Sequence, residues 1–158
     1  MNRLIGVLAL AGALLVPAHT LAAQYRGEDN PVIRSGETIN DDLYIAGGNV
    51  SVDGDVQGDL YVAGGTITIN GTVSDDLVIG GGTVVINGSV GDDLRVGAGQ
   101  VTLNSSVADD ALIAGGTLLL SNRSTVGGDT KLAGGQVTLS GQTSGVQASA
   151  GTLSLTST

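Results

Sequence analysis

Carboxylates are the reactive groups that this chain repeats at regular intervals. Asp41-Asp42, Asp75-Asp76, Asp92-Asp93 and Asp109-Asp110 are adjacent pairs, and Gly58-Asp59 and Gly128-Asp129 stand where further pairs would fall. Three chemistries use such groups. Calcium takes several carboxylate oxygens in flexible geometry, and the residues it would use here are Asp75, Asp76, Asp92, Asp93, Asp109 and Asp110. Glycoside hydrolysis needs two carboxyl groups at a defined separation. An Asp at a turn accepts hydrogen bonds from nearby backbone amides, and this capping role is the simplest of the three. The nonapeptide calcium-repeat signature GGxGxDxUx is absent.

Other catalytic partners are missing. The only His is His19, Cys is absent, and no nucleophile stands beside a base. The sequence therefore predicts no enzyme and no cofactor. The formal net charge is −9, which repels nucleic acid, and no basic tract laced with aromatic residues is present to hold single strands.

The pairs recur because the whole sequence recurs. Asp42, Asp59, Asp76, Asp93 and Asp110 open copies seventeen residues apart, and Asp129 opens another after two residues inserted near Asn122 to Thr125. A period of this length marks a solenoid, whose units bury their apolar faces by stacking on one another. Within the unit Asp59–Asp75, Leu60 and Val62, then Ile67 and Ile69, alternate with period two, and Val73 stands alone. The predicted fold is all-β: a single-stranded right-handed β-helix of triangular coils of about 17 residues, six to seven coils in all. Left-handed hexapeptide helices need aliphatic residues six apart on every side, whereas Val62, Ile67, Val73 and Ile79 are spaced five, six and six.

Five aliphatic columns should form the core. They run through Leu43, Leu60, Leu77 and Leu94; Ile45, Val62 and Ile79; Val50, Ile67 and Val84; Val52, Ile69 and Ile86; and Val56, Val73 and Val90. Gly47-Gly48, Gly64-Gly65, Gly81-Gly82, Gly115-Gly116 and Gly134-Gly135 are expected as one corner, adopting dihedrals that glycine tolerates. Asp53-Gly54, Asn70-Gly71 and Asn87-Gly88 mark a second corner and the Asp pairs a third. These glycines are not a phosphate loop, since no helix or Lys-Ser/Thr follows them.

Residues 1–23 have a short positive start, an apolar run from Leu4 to Val16 and small residues before Gln24, and are expected to be a cleaved secretory signal, with an uncleaved anchor as the alternative. The mature chain is then expected in the periplasm, outside the cell or on its surface. Residues 24–31 are expected as a flexible lead-in and 32–158 as the β-solenoid, with Ile33 in the register of Val50 and Ile39 in that of Val56.

Outward positions include Tyr44 and Tyr61, which could stack on a sugar as a surface-binding site, and a Thr-rich second side. Regular Thr-x-Thr, as an ice-binding face requires, occurs only at Thr66-Ile67-Thr68. An adhesin or carbohydrate-binding module is therefore an alternative function, and a calcium-binding solenoid another.

The pattern V-x-G-D-L-x-V-x-G-G-x-V-x-I-x-G, present as Val56-Gln57-Gly58-Asp59-Leu60 through Ile69-Asn70-Gly71, resembles the bactofilins, bacterial polymer-forming cytoskeletal proteins. The resemblance covers about residues 32 to 156. It implies a right-handed triangular β-helix that polymerises end to end without nucleotide, often as a membrane-associated scaffold. This chain departs from that family in its apparent export signal and in lacking a charged tail beside the repeat. The expected function is a non-enzymatic structural protein that joins copies of itself through its coil ends into a polymer or envelope scaffold. An envelope polysaccharide or a membrane-associated protein is the expected further partner.

Overall fold

The computed structural model describes residues 24–156. The signal-peptide expectation for residues 1–23 lies outside them. Among the described residues no helix is long and apolar enough to cross a membrane.

The chain is a β-solenoid of about eight turns of parallel strands. In chain order the strands are β1 Gln24–Gly27, β2 Val32–Ile33, β3 Thr38–Ile39, β4 Leu43–Val52, β5 Asp55–Val56, β6 Leu60–Ile69, β7 Leu77–Ile86, β8 Leu94–Leu103, β9 Ser106–Val107, β10 Ala111–Leu120, β11 Thr125–Leu139 and β12 Gln142–Leu155. Each ten-residue strand runs along two sides of its coil. The hydrogen-bonded register of β4 on β6 shows the break: Leu43–Gly47 pair with Leu60–Gly64, and Asn49–Val52 with Thr66–Ile69. The third side is short: β3 pairs with β5 and β9 with β11, and isolated bridges join Val56, Val73, Val90 and Val107. At one β spacing per coil the rod is on the order of 40 Å long.

All five aliphatic columns point inward. Leu60, Ile67, Ile69 and Val73 are fully buried, and their equivalents one coil away stack on them. Branched side chains dominate because each packs on its own copy across a pleated, buried surface. The first column weakens to Ala111 and Thr130 as the sequence indicates, and buried Thr130 is satisfied by Thr143 Oγ1 at 2.6 Å.

Three features differ from the sequence reading. Residues 24–31 are not a loose lead-in: β1 pairs in parallel with Leu43–Ala46, and Pro31 is buried. They form the first side of an additional coil. Ile33 pairs with Val52 rather than Val50, and the carbonyl of Pro31 accepts from Ser51, so proline fills the earlier position. Tyr25 precedes Tyr44 by nineteen residues, not seventeen, and that offset hides the coil from a strict period.

The third difference concerns glycine. Among the described residues Gly36 alone has positive φ, at 83°, so the repeated Gly pairs do not supply left-handed turns. Their reason is contact between coils. A Cβ on Gly82 would lie 2.6 Å from the carbonyl oxygen of Gly65, and one on Gly65 2.9 Å from that of Gly48. The second residue of the pair is Gly in every coil after the first, through Gly99, Gly116, Gly135 and Gly151, and Asp29 stands there in the first. The first admits Ala98 and Ala150, whose methyl groups pack on the core.

Gly80→Ala and Gly82→Ala separate these effects. A Cβ on Gly80 meets nothing within 4 Å, so this variant should match the parent or gain up to about 1 kcal/mol from a stiffer unfolded chain. Gly82→Ala forces backbone apart and should lose about 2–3 kcal/mol. Urea unfolding followed by circular dichroism measures both.

Candidate functional site

The third corner brings the carboxylates into a ladder, and its two columns do different things. The second Asp of each pair reaches forward one coil. Asp42 Oδ1 accepts from the backbone N–H of Asp59 at 3.0 Å, Asp59 from Asp76 at 3.1 Å, Asp76 from Asp93 at 3.1 Å, Asp93 from Asp110 at 3.1 Å and Asp110 from Asp129 at 2.7 Å. Each carboxylate thus satisfies an amide that the turn takes out of the sheet, the capping role that the residue type suggests. The run stops where Gly145 takes the place of a further Asp above Asp129.

Their second oxygens carry side-chain contacts. Arg95 donates to Asp76 Oδ2 at 2.8 Å and to Asp93 Oδ2 at 2.6 Å, clamping two successive rungs, and Tyr61 donates its hydroxyl to Asp59 Oδ2 at 3.1 Å. The Asp59 bond raises the Tyr61 pKa, because the carboxylate holds the phenolic proton. Both aspartates raise the Arg95 pKa, with the bond to Asp76 the larger cause.

Asp41 accepts the Asp42 N–H at 2.9 Å, and the first Asp of the other pairs is left as an acidic stripe. Asp75, Asp92 and Asp109 are exposed, and Asp92 has its pKa raised by desolvation and by the charges of Asp76, Asp93, Asp109 and Asp75. Carboxylate oxygens of Asp92, Asp93 and Asp109 lie within 4.8 Å of one another, close enough to share a cation. Of the expected calcium residues the fold therefore joins Asp92, Asp93 and Asp109 in one group, and Asp75, Asp76 and Asp110 stay outside it. The oxygens of Asp93 already serve the Asp110 amide and Arg95, so a cation would have to displace a guanidinium. This is a poor fit for a resident metal.

A parallel amide ladder lines the second corner. Asn87 Nδ2 donates to Asn70 Oδ1 at 2.8 Å and Asn104 Nδ2 to Asn87 Oδ1 at 2.9 Å, while Asn70 donates to Asp53. Both ladders bond coil to coil.

Tyr44 and Tyr61 form one column with Tyr25, which the sequence reading did not include. The signal was available: the two residues extra between Tyr25 and Tyr44 match the two inserted at Asn122-Arg123, where Ala111 pairs with Thr130 across nineteen positions. The rings of Tyr44 and Tyr61 stack with centroids 4.6 Å apart and planes 4° from parallel. Each ring covers one face of the other. Beside them Ala46, Ala63 and Val78 complete a shallow apolar groove.

No family model matches this chain, and no curated protein or solved structure matches it. The resemblance to bactofilins rests on the repeat residues quoted above.

Adjacent aspartates should behave oppositely. Asp93→Ala removes the cap on Asp110 and one partner of Arg95, and should cost about 1–2 kcal/mol. Asp92→Asn should melt above the parent at pH 7. A raised folded-state pKa means that the native state binds the proton more tightly than the unfolded chain does. Native stability from Asp92 therefore improves as pH falls through that pKa, and the advantage of Asp92→Asn should shrink over the same acidic interval. Melting curves from pH 7 to pH 4 measure it, and an advantage that grows on acidification would contradict the placement of Asp92.

Proposed function

We propose that this protein is a non-enzymatic structural solenoid that assembles with copies of itself through its coil ends, as an exported component of an envelope scaffold. The observation that carries the reading is the last coil. Strand β12 has no charged residue and no proline over Gln142–Leu155, and no segment pairs with its outer edge among the described residues. Val146, Leu153 and Leu155 continue the core columns above Thr130, Val137 and Leu139, and are 42%, 45% and 64% exposed. A long, uncharged edge with apolar side chains at its end is a template for another chain. Soluble proteins ordinarily blunt such edges with charge, proline or a covering segment.

Further support comes from how the polar residues are used. The Asp and Asn ladders bond coil to coil, as a scaffold needs, and their carboxylates are committed to amides and to Arg95. The bactofilin-like repeat adds the expectation of contact between copies through a coil end. Export rests on the reading of residues 1–23, and an envelope polysaccharide or membrane-associated protein is the anchoring partner that this location would require.

Light scattering on the chain after removal of residues 1–23, across a hundredfold range of concentration, tests the proposal. Self-association should appear, and Leu153→Asp with Leu155→Asp should abolish it while keeping the β-rich circular dichroism spectrum. A parent protein that stays monomeric throughout would sink the reading.

A further inference from the structure

The two ends of the rod are built from different chemistry. At the N-terminal end of the described residues the core columns reach Gln24 and Arg26, which take the places of Leu43 and Ile45 one coil on. Arg26 donates to Glu37 Oε1 at 2.6 Å, and the other Glu37 oxygen accepts the backbone N–H of Arg34 at 3.1 Å. Arg26 belongs to the first side of the triangle. Glu37 lies immediately before β3, at the corner between the second and third sides. The ion pair therefore spans from one side to the opposite corner, as a strut across the mouth of the core.

The backbone edge at this end is blunted as well. Glu28 and Asp29 put charge between β1 and β2. The bonds from Arg34 and Arg26 hold the Glu37 carboxyl below its usual range, so the strut remains ionised at neutral pH. Nothing of this kind occurs at the other end, where β12 carries neither charge nor proline.

We infer that the Arg26–Glu37 strut is an assembly terminator: it keeps the N-terminal coil out of the contact, so that two copies meet by their C-terminal coils across a two-fold axis and growth stops at a dimer. This rests on the self-assembly reading above and names the partner as the same end of a second copy. Head-to-tail stacking would lay Ala148 over Arg26 and remove the strut from water without giving it a new partner, which costs more than the pair returns. Joining like ends avoids this. A two-fold axis perpendicular to the rod reverses strand direction, so β12 pairs antiparallel with its copy, Leu153 and Leu155 facing the equivalent apolar end.

The chain has no cysteine, so single cysteines can carry nitroxide labels for distance measurement by pulsed electron resonance. Ser154→Cys reports on the C-terminal coil and Thr38→Cys on the N-terminal coil, read together with the mass from light scattering. The expected result is twice the chain mass, a Ser154 label distance under about 30 Å and a Thr38 label distance beyond about 60 Å, given about 40 Å per rod. Open filaments in which both labels report one rod length would mean head-to-tail growth; they overturn the terminator and leave self-assembly standing. Filaments with short distances at both labels overturn it too, since the N-terminal end then mates. A monomer at every concentration overturns both readings. Replacing the strut with Arg26→Leu and Glu37→Leu should extend the dimer into longer assemblies. If that variant melts without cooperativity, Glu37→Gln supplies the milder break, and strut-broken protein that folds yet stays dimeric removes the strut from the proposal.

Discussion

Coil stacking at a single β spacing of about 4.8 Å is the constraint on which this structure depends. Every residue on a strand meets its own equivalent in the coils before and after it, so any side chain that the fold accepts once it must accept repeatedly. Leu60 rests between Leu43 and Leu77, and Ile69 between Val52 and Ile86. Aliphatic residues suit this well, since like shapes interdigitate along a column and lose no hydrogen bond in doing so. A residue that repels its own copy needs a specific device.

The two polar ladders are such devices. Asn stacks on Asn because a carboxamide donates from one end and accepts at the other, so the column from Asn70 through Asn104 is self-complementary. Asp is acceptor only, and an Asp column would be repulsive by itself. Each Asp from Asp42 to Asp110 instead takes the amide of the next rung, and Arg95 neutralises two rungs at once. Asp75, Asp92 and Asp109 have no backbone amide to accept, and their mutual repulsion helps raise the Asp92 pKa. The same spacing accounts for Gly82 and its equivalents, where a methyl group would enter the carbonyl of the preceding coil.

A column has to finish somewhere, and its two ends need not be alike. At the N-terminal end Gln24 and Arg26 replace aliphatic residues, and Arg26 pairs with Glu37 over the core. At the C-terminal end Leu153 and Leu155 continue the columns into solvent. The repeat supplies the wall of the rod, and the departures from the repeat set the chemistry of each end.

The sequence by itself determined the coil, its five buried columns and its three corners, because a period of seventeen lets each position be read several times over. Leu43, Leu60, Leu77 and Leu94 need no coordinates to be placed together. Only the tertiary structure decided what occurs once. Tyr25 and Pro31 belong to a coil offset by nineteen residues, so a strict period passes over them although β1 pairs fully with β4. Within an Asp pair the chain order does not say which member turns toward the next coil; the geometry gives that role to Asp93 and leaves Asp92 in solvent. Gly82 reads as a turn residue until the carbonyl of Gly65 is seen 2.6 Å from its would-be Cβ. Arg26 and Glu37 are eleven residues apart and unremarkable in a polar stretch. They face each other because the chain travels around two corners between them, which is a property of the closed coil and not of any local spacing.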